Sequence, residues 1–132
     1  MQTETNETTA QSFKPFDAFT IEGDTRTVEF GPVTIRATIV ADTDTRPDDF
    51  DCYTPEAIAA WRRNEWQFVG VVLSIWVGDM CLDDYTASLW GIDCNYPGGD
   101  NAYLTECADD LLGEAKEVAT KALARLRARL AD

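Results

Sequence analysis

The segment Gln67–Val77, with the sequence QFVGVVLSIWV, is apolar at nearly every position and rich in β-branched residues. A strand with one side in water alternates apolar and polar side chains, but this segment carries apolar side chains on both sides. It therefore predicts a central strand that other elements cover over most of its length.

Three further strands are predicted around this segment. Residues 25–30 form the first strand, and residues 33–40 form a second one because they alternate cleanly between apolar and polar side chains. Residues 85–94 return as an antiparallel partner of the central strand after a turn at 78–79. The side of the second strand that is predicted to be buried carries Val33, Ile35, Ala37 and Ile39.

Two helices complete the pattern. Thr54 suits an N-cap, Pro55 suits the first helical position and Glu56 complements the helix dipole, so a short helix begins here. A long helix is predicted from about Ala102 to Leu130, because apolar residues recur there on one face. At ~1.5 Å per residue this helix is longer than a four-stranded sheet is wide.

Together these elements predict an α+β fold. It is a two-layer sandwich in which an antiparallel β-sheet of about four strands, in the chain order ββαββα, carries the long C-terminal helix on one face. Residues 17–132 form this single domain, and residues 1–16 are predicted to be a disordered or loosely attached leader. Phe13, Phe16 and Phe19 are expected to attach the end of the leader to the domain.

The charge of the chain is strongly negative and uneven. No Lys or Arg occurs between Arg63 and Lys116. The formal net charge is −13, and residues 1–114 hold 22 acidic and 6 basic side chains, whereas residues 115–132 hold 2 and 5. An acidic surface on a folded domain repels nucleic acid and anionic membranes and attracts basic proteins. The residues predicted to bind such a partner are Asp79, Asp83, Asp84, Asp93, Asp100, Glu106, Asp109, Asp110, Glu114 and Glu117.

Residues suited to catalysis are scarce. The chain contains no histidine, which excludes the usual Ser-His and Cys-His arrangements. Its four cysteines form no CxxC pair, which argues against a zinc site and predicts buried free thiols. We therefore predict that the protein is not an enzyme and has no catalytic residue, no metal ligand and no cofactor.

Two other features are considered as possible binding sites: an acidic loop and the tryptophans. The loop Asp42-x-Asp44-x-Arg46-Pro47 lacks the ligands and the glycine of a calcium loop, which leaves weak divalent-cation binding by its acids as an alternative. The acidic surroundings have the wrong sign for base stacking, so the tryptophans are predicted to pack in the core. Those tryptophans are Trp61, Trp66, Trp76 and Trp90, and the alternative protein-interface anchors are Trp66, Tyr96 and Tyr103.

Three motifs lie in the segment from Val69 to Glu114: Ser88-Leu89-Trp90-Gly91-Ile92, Gly99-Asp100-Asn101-x-Tyr103-Leu104-Thr105-Glu106, and Asp110-Leu111-Leu112-x-Glu114-Ala115. In these motifs the chain resembles a family of small uncharacterised acidic proteins of bacteriophages and integrated elements. In size, acidity and the phage origin that this resemblance implies, it is also similar to DNA-mimic inhibitors such as anti-CRISPR and anti-restriction proteins. Neither likeness implies a role for an individual residue.

The sequence thus predicts a non-enzymatic acidic protein-binding module. It would be a phage or mobile-element inhibitor that acts by nucleic-acid mimicry on a basic nucleic-acid-binding defence complex of the host, without binding nucleic acid itself. With no signal segment and no apolar run of ~20 residues, a soluble protein of the host bacterial cytoplasm, without membrane contact, is expected. The alternatives are a phage assembly protein, as a homodimer through the C-terminal helix, and an acidic divalent-cation-binding protein.

Overall fold

The computed structural model describes residues 11–131. Its strands form one antiparallel sheet in the order β1-β2-β3-β4, and the long helix packs on that sheet. The predicted α+β class, with its ββαββα order, is confirmed. The elements are β1 (Thr25–Phe30), β2 (Val33–Ala41), a 3₁₀ turn (Pro47–Asp49), α1 (Pro55–Arg62), β3 (Gln67–Val77), β4 (Met80–Cys94) and α2 (Ala102–Ala131).

The two central strands turn a continuous apolar surface toward α2. Ile35 of β2 pairs with Ile75 of β3, and paired residues of antiparallel strands place their side chains on the same face. β3 is buried on both sides over most of its length, as its sequence predicts. The predicted buried side of β2 is also confirmed, and its fully buried residues are Val33, Ile35, Ala37 and Ile39.

The helix α2 supplies the second layer. Its buried residues recur every three or four positions, so they form one stripe along the helix. Beyond Ala119 the burial decreases, and Leu130 near the end is 78% exposed, so the last turns extend past the sheet. The residues that α2 buries are Leu104, Cys107, Ala108, Leu112, Ala115 and Ala119.

Strand β4 begins five residues earlier than its sequence predicts. Residues 80–84 include Asp83 and Asp84, which weaken the local strand signal. Pairing across the tight turn extends the strand nonetheless, since Val77 pairs with Met80. The β3–β4 register shifts at three places, and such irregularities bend a strand and redirect its side chains.

The segment before β1 is attached more firmly than predicted. Residues 1–10 of the predicted leader lie outside the described part of the chain, but residues 11–16 are packed onto α2. Phe13 and Phe16 are buried, and their backbone N–H groups donate to Asp109 Oδ1 at 2.8 Å and to Thr105 Oγ1 at 3.0 Å. Phe19 is 69% exposed, so its expected role in attachment is wrong.

The short helix α1 begins as predicted, since Thr54 Oγ1 accepts a hydrogen bond from the Ala57 N–H at 3.1 Å. The indole N–H of Trp66 donates to the Ala57 carbonyl at 2.8 Å, which fixes the helix against the start of β3.

Trp66 belongs to a group of packed rings that we call the aromatic cluster. The centroids of the rings in contact lie 5.0–5.9 Å apart. The aromatic cluster consists of Tyr53, Trp66, Phe68 and Tyr96.

Removal of the buried phenylalanine rings tests the attachment of residues 11–16. We expect Phe13→Ala and Phe16→Ala each to lower the free energy of unfolding by about 3 kcal/mol, because each deletes a buried ring. The matched control Phe19→Ala deletes an exposed ring and should change it by less than about 0.5 kcal/mol. Urea unfolding of the three variants measures the differences. Equal values for Phe13→Ala and Phe19→Ala would contradict the packing of residues 11–16 on α2.

Candidate protein-binding site

Four of the predicted acidic residues share one exposed surface. They follow one another at intervals of three or four along α2, on the side opposite the buried stripe, so all four carboxylates point away from the sheet. Successive members rise ~4.5–6 Å along the helix axis. We call this surface the acidic helix face, and it consists of Glu106, Asp110, Glu114 and Glu117.

No basic side chain within residues 11–131 forms an ion pair with the acidic helix face. The ion pairs there join Arg26 to Asp17, Arg46 and Arg62 to Asp48, and Arg63 to Glu65. Lys116, which follows Glu114 by two residues, instead places its Nζ 5.4 Å from the centre of the Phe30 ring. Like charges four residues apart destabilise a helix by a few tenths of a kcal/mol per pair, so this face reduces the stability of α2.

Asp100 and Asp109 have structural roles beside the acidic helix face. Asp100 is exposed, and its Oδ1 accepts a hydrogen bond from the Ala102 N–H at 3.0 Å, where α2 begins. Asp109 is half-buried, and its carboxylate accepts a hydrogen bond from the Phe13 N–H. The predicted partner-binding residue Asp109 therefore already has a hydrogen-bond partner within the chain.

The remaining predicted acids lie elsewhere. Asp79, Asp83 and Asp84 lie around the β3–β4 turn, where Leu82 lines a surface depression together with Arg125 and Arg129 of α2. This is the basic end of the helix, far from Asp100. These three predicted partner-binding residues therefore lie apart from the acidic helix face. The Asp83 carboxylate also accepts a hydrogen bond from the Tyr85 N–H at 3.0 Å.

Asp93 lies on the other side of the sheet. It pairs with Phe68 of the aromatic cluster, so both side chains extend from the face of the sheet that α2 does not cover. Burial raises the pKa of the half-buried Asp93 carboxyl. Burial and the neighbouring Asp93 charge likewise raise the pKa of Tyr53. Asp93 is thus separated from the acidic helix face by the whole thickness of the sandwich.

Of the tryptophans predicted to pack in the core, Trp66 is confirmed there and Trp90 is not. Trp66 is 1% exposed and packs inside the aromatic cluster, which removes it as an interface anchor, while Trp90 is 40% exposed. Tyr103 is 60% exposed at the start of α2 and keeps the exposure that an anchor requires. The placement of Trp90 depends on two glycines: Gly91 follows it with a φ of 74°, and Gly70 of the neighbouring strand lies beneath its ring.

The cysteines and the acidic loop do not form a metal site in the described residues. Cys94 and Cys107 are buried as predicted, and burial raises the pKa of Cys94 to about 11, but Cys52 and Cys81 are exposed. The carboxylate of Asp42 accepts hydrogen bonds from its own loop and from the Gly91 N–H at 2.9 Å. Within residues 11–131, no three His, Cys, Asp or Glu side chains are grouped so as to hold a metal ion.

Comparisons with protein-family models, with curated proteins and with solved structures find no match to this chain. Across residues 11–131, no helix combines the length and the apolar character needed to cross a membrane. No residue therefore acquires a function from a relative. What the geometry provides is an exposed carboxylate row on one side of the sandwich and exposed aromatic rings on the other.

The raised pKa of Asp93 predicts that ionisation of this carboxyl lowers the free energy of unfolding, at a cost in stability that depends on pH. Because the folded state disfavours the ionised carboxyl, this cost is present near neutral pH and is lost as pH falls through the raised pKa toward the ordinary value of 3.8. Asp93→Asn should therefore raise the free energy of unfolding near neutral pH and give little gain at about pH 3. Urea unfolding at both pH values, with Asp51→Asn as an exposed control, measures the difference. A loss of stability in Asp93→Asn near neutral pH would contradict the prediction.

Proposed function

We propose that the chain is a protein-binding module that inhibits a nucleic-acid-binding complex by presenting the acidic helix face to its basic groove. The observation that carries the proposal is the row of four exposed carboxylates without an ion-pair partner in the described residues. Such a row can pair with the Lys and Arg side chains that otherwise contact phosphates. The module works by binding and performs no chemistry.

The dimensions of the acidic helix face suit this role. From Glu106 to Glu117 the helix rises roughly 16 Å, which corresponds to about five phosphates along one DNA strand. The carboxylates are spaced somewhat more widely than phosphates are, at ~4.5–6 Å compared with ~3.4 Å of axial rise per strand. The row therefore offers fewer charges than the nucleic acid it would replace, and rigid attachment of α2 to the sheet must hold those charges in place.

The acidic helix face lowers the stability of α2, and this loss of stability supports a binding role over a role in solubility alone. Solubility needs negative charge but does not need it in consecutive helical turns, where like charges repel. Residues that bind a partner often lower the stability of the free protein, because function and stability place different demands on the same position. The resemblance to phage and integrated-element proteins supports a target among host defence complexes, such as a nuclease or a CRISPR effector.

A second candidate function is assembly as a homodimer through the C-terminal end of α2. It is favoured by an apolar hollow of about 350 Å³ between the β1–β2 turn and α2, lined among others by Phe30, Pro32, Ala119 and Leu123. Leu130 is 78% exposed beyond this hollow. Light scattering decides: a stable dimer that Leu123→Glu and Leu130→Glu dissociate would favour assembly, and a monomer would exclude it.

Charge reversal at the centre of the acidic helix face tests the main proposal. Asp110→Lys replaces two repulsions, with Glu106 and Glu114, by attractions, so we expect the free energy of unfolding to rise by about 1 kcal/mol. The same change should weaken binding to the target, because it removes the central carboxylate and adds a repulsive charge. Asp51→Lys makes an identical charge change in an exposed loop and should do neither.

The binding measurement uses affinity capture from a bacterial lysate. The expected partner binds nucleic acid, is released by added double-stranded DNA, and is recovered far less at about 200 mM than at about 50 mM salt. Asp110→Lys should lose this partner and Asp51→Lys should retain it. A partner that Asp110→Lys retains fully, or that DNA does not displace, would contradict the mimicry proposal.

A further inference from the structure

The face of the sheet opposite α2 carries a second surface that the acidic helix face does not use. The aromatic cluster covers one end of it, but Tyr85 and Trp90 of β4 are 56% and 40% exposed. Because α2 lies on the other face of the sheet, this surface and the acidic helix face point to opposite sides of the sandwich. A partner bound to one therefore leaves the other accessible.

The Trp90 ring is fixed on this surface by packing and by hydrogen bonds. It lies directly on the backbone of β3 at Gly70, where an added Cβ would lie 2.3 Å from the ring carbon Cε3. The indole N–H donates to the Tyr85 hydroxyl at 3.0 Å and to Ser88 Oγ at 3.1 Å. The exposed side of the ring is thus the one that faces away from Gly70. A ring held in this way loses little conformational entropy when a ligand packs on it.

The bends in β4 account for this placement. Trp90 and Gly91 lie opposite the single residue Gly70, between the pairs Val71–Leu89 and Val69–Ile92, which defines a β-bulge. Gly91 takes the positive φ of 74° at that bulge, and its N–H is held by the Asp42 carboxylate. Bulges often redirect a side chain toward a functional surface.

A recess of about 510 Å³ lies beside the ring, and its lining favours a cation. The residues that line it are Ala41, Asp42, Thr43, Asp44, Thr45 and Trp90. None of them is basic, and Asp44 is exposed at the rim. Asp42 is occupied by hydrogen bonds from the loop and from β4, which leaves Asp44 as the carboxylate available to a ligand.

The same face already contains an arginine packed on a tryptophan. The Arg36 guanidinium lies 4.3 Å from the centre of the Trp76 ring, and Arg46 lies 4.8 Å from the Trp61 ring elsewhere in the protein. The cation–π contacts within residues 11–131 involve Phe16, Phe30, Trp61 and Trp76, and none involves Trp90. Trp90 is therefore an exposed ring beside a carboxylate, with its outer side open to a cation.

We propose that Trp90 and Asp44 bind an arginine side chain of a protein partner. The planar guanidinium would stack on the exposed side of the indole while its N–H groups donate to the Asp44 carboxylate. Arginine is favoured over lysine because it combines stacking with forked hydrogen bonds. The proposal goes beyond the acidic helix face, since it assigns a second interface on the opposite side of the sandwich, with recognition of one side chain instead of many dispersed charges.

Titration with a capped Gly-Arg-Gly peptide, followed by ¹H–¹⁵N NMR of the full chain, tests this site. We expect the Trp90 indole and Gly70 amide signals to shift with the peptide. Trp90→Leu should weaken binding about fivefold through loss of the cation–π contact, and Asp44→Asn should weaken it about two- to threefold. Phe19→Leu, which alters another exposed ring, is the matched control and should leave binding unchanged.

Three outcomes would overturn the proposal. One is equal binding of a capped Gly-Gln-Gly peptide, which lacks the cation. Another is preferential binding of a short single-stranded oligothymidylate at Trp90, which would make the ring a base-stacking platform. The third is a shift confined to the acidic helix face. If Trp90→Leu does not fold, Asp44→Asn decides alone. A peptide titration that fails at Trp90 does not bear on the acidic helix face. Binding through that face is tested separately by Asp110→Lys, which leaves the Trp90 site intact, so failure of one interface can be distinguished from failure of the other.

Discussion

The packing of one apolar stripe of α2 on the buried face of β2 and β3 determines which acidic side chains share a surface and which face of the sheet stays uncovered by α2. The stripe fixes the rotation of the helix, because residues such as Leu104, Ala108 and Ala115 must all face the sheet. Once that rotation is fixed, Glu106, Asp110, Glu114 and Glu117 point outward as one row. The same packing covers one face of the sheet, and the other face carries the loop at residues 42–45, the aromatic cluster and Trp90.

The N-terminal segment adds a second constraint to this arrangement. Phe13 and Phe16 are buried in the same core, and their backbone N–H groups are bound by side chains of α2. Asn101 strengthens the connection, since its side-chain amide donates to the carbonyls of Asp17 and Ala18 from a position with φ of 65°. The start of α2 is therefore held by the sheet and by the N-terminal segment, and the acidic helix face begins in this doubly attached part of the helix.

Most of the fold could be predicted from the sequence because its signals are local. The alternation in β2, the doubly apolar β3 and the capped start of α1 each depend on a few neighbouring residues. Three features depended on distant contacts and were missed. The early start of β4 depends on pairing with β3, the burial of Asp109 depends on Phe13, and the exposure of Trp90 depends on a bulge and on Gly70 across the sheet. At the candidate site the helical row was predictable from its spacing, whereas the separation of Asp79, Asp83, Asp84 and Asp93 from that row required the topology.

Inhibition by mimicry requires the acidic helix face to contact the partner directly. Carbodiimide labelling of exposed carboxylates, read by mass spectrometry in the free chain and in its captured complex, tests that contact most directly. If the contact is direct, Glu106, Asp110, Glu114 and Glu117 lose reactivity in the complex, whereas Asp51 and Asp79 keep theirs. Equal labelling of the four helix carboxylates in both states would contradict it.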